Sequence, residues 1–302
     1  MSHSWKKIGR LLEISNQKDW AVSHSAVPFA EHVSDDIFKV YFTTRDAWNR
    51  SHTAYALMDI IRPSKTLNIG ENPVLAPGRL GTFDDSGAMG CWLTTAGENT
   101  YLYYQGWNLG VTVPFRNSIG VAVRRDTGQF ERLFEGPILD RTAREPHFTA
   151  TPCVLEDNGR WNMWYLSCVG WELEAGKPKH RYHIKHASSS NGLDWDRSGH
   201  ISIDFKNDSE YAISRPSVTK AGDTWKMWYS FRGYRYRIGY AESHNGIDWE
   251  RMDDHAGINV AETGWDSDMI EYPFVFHHRD ATYMLYNGND YGRTGIGLAI
   301  LE

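Results

Sequence analysis

The chain repeats itself, and the period limits the folds open to it. A short aromatic strand pattern recurs five times in 302 residues: Val40-Tyr-Phe42, Leu102-Tyr-Tyr104, Met163-Trp-Tyr165, Met227-Trp-Tyr229 and Met284-Leu-Tyr286. The last residues of these triplets lie 62, 61, 64 and 57 positions apart. Downstream, three segments share one hairpin. An alanine (Ala122, Ala187, Ala241) is followed eight residues later by an aromatic (Phe130, Trp195, Trp249), then by an acid and an arginine. Between them lie Thr127-Gly128, Asn191-Gly192 and Asn245-Gly246, pairs that supply the positive φ of a tight hairpin. Upstream of the triplet a short strand carries a proline in four of the five units: Pro28, Pro152, Pro216 and Pro273. Helical periodicity is rare. Five units of about four strands at this period predict an all-β protein, a five-bladed β-propeller with four-stranded antiparallel blades. The fifth unit stops at its third strand, Ile296 to Glu302, and Trp5-Lys-Lys-Ile-Gly-Arg10 has the look of the missing outer strand. Residues 1–12 are therefore expected to close the last blade. No linker divides the sequence, so 1–302 reads as a single domain.

Composition narrows the function. The net charge is −6 with basic and acidic residues well mixed, so no basic surface for nucleic acid is indicated. No run of about 18 apolar residues predicts a membrane span. No secretory signal is visible at the N-terminus. The three cysteines, Cys91, Cys153 and Cys168, form neither a metal motif nor a disulfide framework, which points to a reduced, cytoplasmic protein. The 13 histidines show no ligand pair on one face of an element, so no metal or other cofactor is expected. Aromatic residues make up 14% of the chain, a content that suits both β-strands and sugar-stacking surfaces.

The Ser-x-Asn-Gly-x-x-Trp hairpins (Ser189 to Trp195, Ser243 to Trp249) and the Met-Trp-Tyr strands resemble the five-bladed propeller carbohydrate enzymes. These are the family 43 arabinanases and β-xylosidases, the family 32 invertases and the family 130 mannoside phosphorylases. The resemblance covers the whole sequence. It implies an activity on a glycosidic bond of an oligosaccharide, sugar phosphate or activated sugar, in a cytoplasmic setting such as polysaccharide biosynthesis. Family 43 enzymes place an Asp directly before the proline in the first and third blades and a Glu two before it in the fourth. Val27, Thr151 and Ser214 stand there in this sequence, so that acid triad is absent from its places.

Glycoside cleavage needs an acid for the leaving oxygen and a second group opposite it. Carboxylates near innermost strands are the candidates. Asp84 and Asp85 face opposite sides as strand neighbours, and we assign Asp85 to the funnel. Glu145 precedes Pro146-His147, and Glu271 stands two before Pro273. Asp85, Glu145 and Glu271 are the expected catalytic set. Expected substrate contacts are His24, Asp268, Trp48, Trp107 and Asn287, together with Arg45, Arg215 and Arg232, whose planar forks suit an anionic or phosphorylated sugar. Alternatives to hydrolysis are a phosphorylase or glycosyltransferase using those arginines, or a carbohydrate-binding propeller without turnover.

Overall fold

The computed structural model describes residues 3–63, 66–125 and 128–302. Met1, Ser2 and Thr127, which figure in the expectations above, lie outside them. The protein is almost entirely β. Its first strand, β1 (Trp5–Leu12), precedes a group made of β2 (Ser15–Lys18), β3 (Ala21–Ser34), β4 (Ile37–Arg45), β5 (Ser51–Asp59) and β6 (Thr66–Ile69). The second group is β7 (Gly87–Ala96), β8 (Asn99–Leu109), β9 (Phe115–Arg125) and β10 (Glu131–Arg132). The third is β11 (Thr149–Asp157), β12 (Arg160–Glu174), β13 (Lys177–Ser189) and β14 (Ile201–Ile203). The fourth is β15 (Ala212–Ala221), β16 (Thr224–Arg232), β17 (Tyr236–Ser243) and β18 (Glu250–Arg251). The last is β19 (Glu271–His278), β20 (Ala281–Asn287) and β21 (Ile296–Leu301).

Within each group, strands pair antiparallel in sequence order. β1 runs antiparallel to β21, from Trp5 opposite Leu301 to Leu12 opposite Ile296. The leading strands also meet one another. β3 touches β7, β7 touches β11, β11 touches β15, β15 touches β19, and β19 returns to β3. The aromatic triplets fill the layers between groups: Tyr41, Tyr103, Trp164, Trp228 and Tyr286 are buried. No helix among the described residues is long and apolar enough to cross a membrane.

The Asn-Gly hairpins bind one group to the next. Ser189 Oγ accepts from the N–H groups of Asn191 and Gly192 at 3.1 and 2.9 Å, while Gly192 takes φ +74°. The Gly192 carbonyl, turned outward, accepts from Tyr103 of the second group at 2.9 Å. One unit later, Gly246 repeats the arrangement with Trp164 Nε1 at 2.8 Å. A Cβ at Gly192 would lie 2.8 Å from both Trp161 and Tyr103, so the glycine is needed for space as well as for φ.

The prolines interrupt their ladders, because each lacks an N–H to donate. Register shifts fall between Ala26 and Phe29, Ala150 and Cys153, Ser214 and Ser217, and Glu271 and Phe274. The residue before each proline is left-handed: Val27 φ 53°, Thr151 38°, Arg215 51° and Tyr272 56°. That conformation is strained for any residue with a Cβ, and it recurs at the same place in four units. Three of these four residues, Val27, Thr151 and Tyr272, line one cavity.

Candidate functional site: a carboxylate-free cavity on the ring of leading strands

A cavity of about 490 Å³ opens where the bulges converge. Every leading strand contributes to it: Val27 from β3, Met89 from β7, Thr151 from β11, Ser214 from β15 and Tyr272 from β19. Its charged and titratable lining is Arg45, Arg232 and His180 with Tyr182, Tyr236, Tyr272 and Tyr291. Gln105, Asn117 and Trp107 complete one side. Among the described residues, no Asp or Glu lines it. Val27, Thr151 and Ser214, which stand in the family 43 acid positions, all face this space.

The two arginines are held without a carboxylate partner among the described residues. Arg45 Nη1 donates to Asn49 Oδ1 at 2.7 Å. Arg232 Nη1 donates to the Tyr291 hydroxyl at 2.6 Å, and its guanidinium lies 5.3 to 5.7 Å from the rings of Tyr211, Tyr236 and Tyr291. Arg232 Nε is buried and unpartnered among the described residues. Tyrosine faces soften the charge but do not neutralise it. His180 stacks on Tyr182 at 4.8 Å and meets Trp171 edge-on at 5.4 Å. Burial, then the positive charges of Arg232 and Lys179, push its pKa down to about 4, so its imidazole is neutral. The hydroxyls of Tyr182 and Tyr236 bond to each other. Burial raises both phenols far above their ordinary range.

Glu271 stands one layer behind this wall. Its side chain is fully buried, and no well-formed hydrogen bond reaches either carboxyl oxygen from the described residues. Burial holds its pKa well above the usual carboxylate range, against the opposing charge of Arg232 and the nearby Tyr272 hydroxyl. It is a neutral acid beside Tyr272 and Tyr236 rather than a lining carboxylate.

Of the residues expected from sequence, Arg45, Trp107 and Arg232 line the cavity. The others do not, and each has a physical reason. Asp85 accepts from Gly81 N at 3.0 Å, Asn108 Nδ2 at 2.7 Å and Ser86 Oγ at 3.0 Å, so it caps the approach loop. Those donors outweigh its partial burial and lower its pKa. Glu145 is buried between Lys185 at 2.9 Å, Arg197 at 2.8 Å and the Tyr165 hydroxyl at 3.1 Å. Burial would raise its pKa, but the two cations outweigh that and hold it low, the reverse of what a general acid needs. His24, with a pKa lowered to about 4 chiefly by burial and then by Arg45, bonds the Ser23 hydroxyl at 2.9 Å. Trp48 is 76% exposed and lies against Arg50. Asp268 pairs with Arg235 at 2.8 Å on the surface. Asn287 is buried, accepting from Val27 N at 2.9 Å and donating to the carbonyls of Ser25 and Gly295 at 2.6 and 2.9 Å, which fixes the β3 bulge. Arg215 is fully buried among the leading strands. Its Nη2 donates to the Pro28 carbonyl at 2.9 Å and its guanidinium lies 5.6 Å from the Trp92 ring, with Nε and Nη1 unpartnered among the described residues.

Glu145 is one member of a recurring clamp. An acid twenty residues before the triplet tyrosine meets that hydroxyl in three units: Asp84 with Tyr104, Glu145 with Tyr165, and Asp266 with Tyr286. The cation two residues after the outer-strand aromatic completes each clamp: Arg132, Arg197 and Lys7. In the fourth unit Arg251 holds Glu210 and Asp253, and Asp253 takes the Tyr229 hydroxyl. Lys7 on β1 therefore fills the place that Arg132, Arg197 and Arg251 fill in the second, third and fourth units. The lining residues absent from the sequence reading are chiefly His180, Tyr182, Tyr236, Tyr272, Gln105 and Asn117. Tyr272 carried a sequence signal, since it directly precedes a repeat proline.

The fold is that of the β-propeller glycoside hydrolases. A solved BT0996 complex with RGII superposes with a TM-score of 0.75 at 18% identity, covering 99% of this protein and 91% of that one. A Bacteroides ovatus glycosyl hydrolase gives 0.74 at 12% identity, over 99% and 94% of the two proteins. A thermostable family-43 glycoside hydrolase gives 0.67 at 15%, over 96% and 92%. No family model matches the sequence. At sequence level it is 41% identical over 299 residues to the uncharacterized protein Rv1502 of Mycobacterium tuberculosis strain ATCC 25618 / H37Rv, covering 99% of each. The same figures hold for the uncharacterized protein MT1551 of strain CDC 1551 / Oshkosh. The protein described here belongs to the family of these two.

Proposed function

We propose that this protein is a single five-bladed propeller, closed by the β1–β21 pair, that binds an anionic saccharide in its central cavity and acts on a glycosidic bond there. The ring of contacts between leading strands and the Lys7 clamp support the blade count and the closure. The observation that carries the ligand class is the cavity lining: two arginines without carboxylate partners and no acidic side chain among the described residues. A neutral sugar would leave both guanidinium groups uncompensated, whereas a carboxylate or phosphate accepts their forks directly. Trp107 and the tyrosines offer ring faces, and Gln105 and Asn117 offer amides for hydroxyls. The structural neighbour solved as a complex with RGII supports a saccharide ligand. Three free, buried cysteines support a reducing compartment. Of the three carboxylates expected to catalyse, Glu271 alone is held neutral, and it stands behind the wall rather than in the lining.

Calorimetry on the full-length protein with a hexuronate oligomer, a sugar phosphate and a neutral hexose oligomer tests the ligand class. Anionic ligands should bind, and Arg232→Ala should weaken them more than tenfold, about 1.4 kcal/mol, with neutral sugars unaffected. Equal affinity for neutral and anionic sugars refutes it. The same lining also favours a binding propeller without turnover, and binding without any product in that series selects this second reading.

A further inference from the structure

We propose that the cavity breaks its glycosidic bond by β-elimination from a 4-linked uronic acid, with His180 taking the proton beside the carboxylate and Tyr272 protonating the leaving oxygen. This rests on the anionic-saccharide reading and goes beyond it by naming the substrate class, the reaction and two catalytic residues.

Hydrolysis through paired carboxylates requires acids on both sides of the bond. This lining holds none among the described residues, and the three positions that would carry them hold Val27, Thr151 and Ser214. Elimination asks for different groups: cations that neutralise the substrate carboxylate and so acidify the neighbouring C–H, an unprotonated base, and an acid that still holds its proton. The cavity supplies these types. Arg45 and Arg232 are cations with no internal counter-charge among the described residues. His180 makes no hydrogen bond among the described residues and is fixed by ring contacts alone, so its nitrogens are unclaimed. It is neutral partly because Arg232 faces it. A carboxylate seated on Arg232 offsets that charge and makes the imidazole more basic when substrate is present. Among the tyrosines, Tyr182 and Tyr236 bond each other and Tyr291 accepts from Arg232. That leaves Tyr272, which Ser230 Oγ anchors through the backbone N–H at 2.7 Å, which Arg45 faces electrostatically and whose hydroxyl lies against the Glu271 carboxyl. Burial and the neighbouring Glu271 keep its phenol protonated. A phosphate places no such acidified C–H beside itself, so this chemistry selects a carboxylate.

The step balances without a co-reactant. An imidazole nitrogen of His180 takes the C5 proton, and the C5–H electron pair becomes the C4=C5 double bond. The C4–O4 bond breaks, and O4 leaves with its pair and takes the Tyr272 hydroxyl proton. An unsaturated uronate and a saccharide with a free hydroxyl result. Proton return from His180 to Tyr272 resets the site.

The test incubates the full-length protein with 4-linked hexuronate oligomers and with the same oligomers reduced at the carboxyl to the alcohol. Binding is followed by calorimetry, and products by ultraviolet absorption of the conjugated double bond and by mass. Wild type should give an unsaturated product from the acid oligomer and none from the reduced one. His180→Gln and Tyr272→Phe should each lower that rate at least about 100-fold while affinity stays within about threefold. Products that have gained water, binding without cleavage, or either variant at full rate overturns the elimination and leaves the anionic reading standing. Failure of every anionic saccharide to bind overturns the anionic reading itself.

Discussion

Replacing Glu271 with glutamine should make the protein's stability less sensitive to rising pH. The folded state keeps this carboxyl neutral because it is fully buried and no well-formed hydrogen bond reaches either oxygen. In the unfolded state it ionises near its ordinary 4.5. The folded state therefore binds the proton more tightly. The associated stability is fully present below the unfolded value and is lost as pH rises toward the folded value. Each pH unit climbed in that window costs about 1.4 kcal/mol. Glutamine cannot ionise, so the variant lacks this slope. Its extra N–H adds a burial cost of about 1–3 kcal/mol, but that cost is the same at every pH and shifts the curve without tilting it. Urea unfolding of both proteins at about pH 5 and about pH 6 measures the difference. Stability of the variant relative to wild type should rise by about 1.4 kcal/mol across that unit. Parallel curves would mean that Glu271 ionises in the folded state, and the argument for a desolvated acid would fail.

Glu145→Gln should cost about 2–3 kcal/mol in urea unfolding, because Lys185 and Arg197 lose their counter-charge in a largely buried clamp. Its affinity for the cavity ligand should match wild type, and a selective loss of affinity would return Glu145 to the site. Deleting residues 1–12 removes β1 together with the Lys7–Asp266 pair, and should lower the melting temperature by several degrees or prevent folding. An unchanged melting curve would sink the closure.

Much of the architecture is legible in the sequence because it is repeated. The triplets, the Asn-Gly hairpins and the prolines each recur, and the structure gives each a local cause. A turn carbonyl is capped by the preceding unit's aromatic, and a ladder is broken where a proline cannot donate. The site was less legible. Proximity to a leading strand drew attention to Asp85 and Glu145, yet short distances in sequence did not reveal the donors that occupy them. The arginine two residues past each outer-strand aromatic was visible, but its partner lies 48 positions upstream for Asp84 and 52 for Glu145. Only the fold brings them together. His180 and Tyr182 were hidden because alternation along β13 does not say which face meets the cavity.

The clamp acids and the cavity residues obey opposite rules, which bears on how such a repeating sequence is read. A carboxylate that returns at the same place in three of the repeats has a task those repeats share, and here that task is neutralising an outer-strand cation under a tyrosine. The residue before the proline is a fixed backbone position with a changing side chain: Val27, Thr151, Arg215 and Tyr272 share the left-handed bulge and little else. Strain kept in four units while the side chain varies is strain that serves placement rather than one residue's packing. At those positions, and at the strand ends carrying Arg45, His180 and Arg232, the fold's symmetry breaks, and the charge of the cavity is set. A funnel built of acids repels an anion and draws a sugar oxygen to a proton. This cavity holds two arginines beside the raised phenols of Tyr182, Tyr236 and Tyr272 and a neutral histidine, so its field favours a negative group.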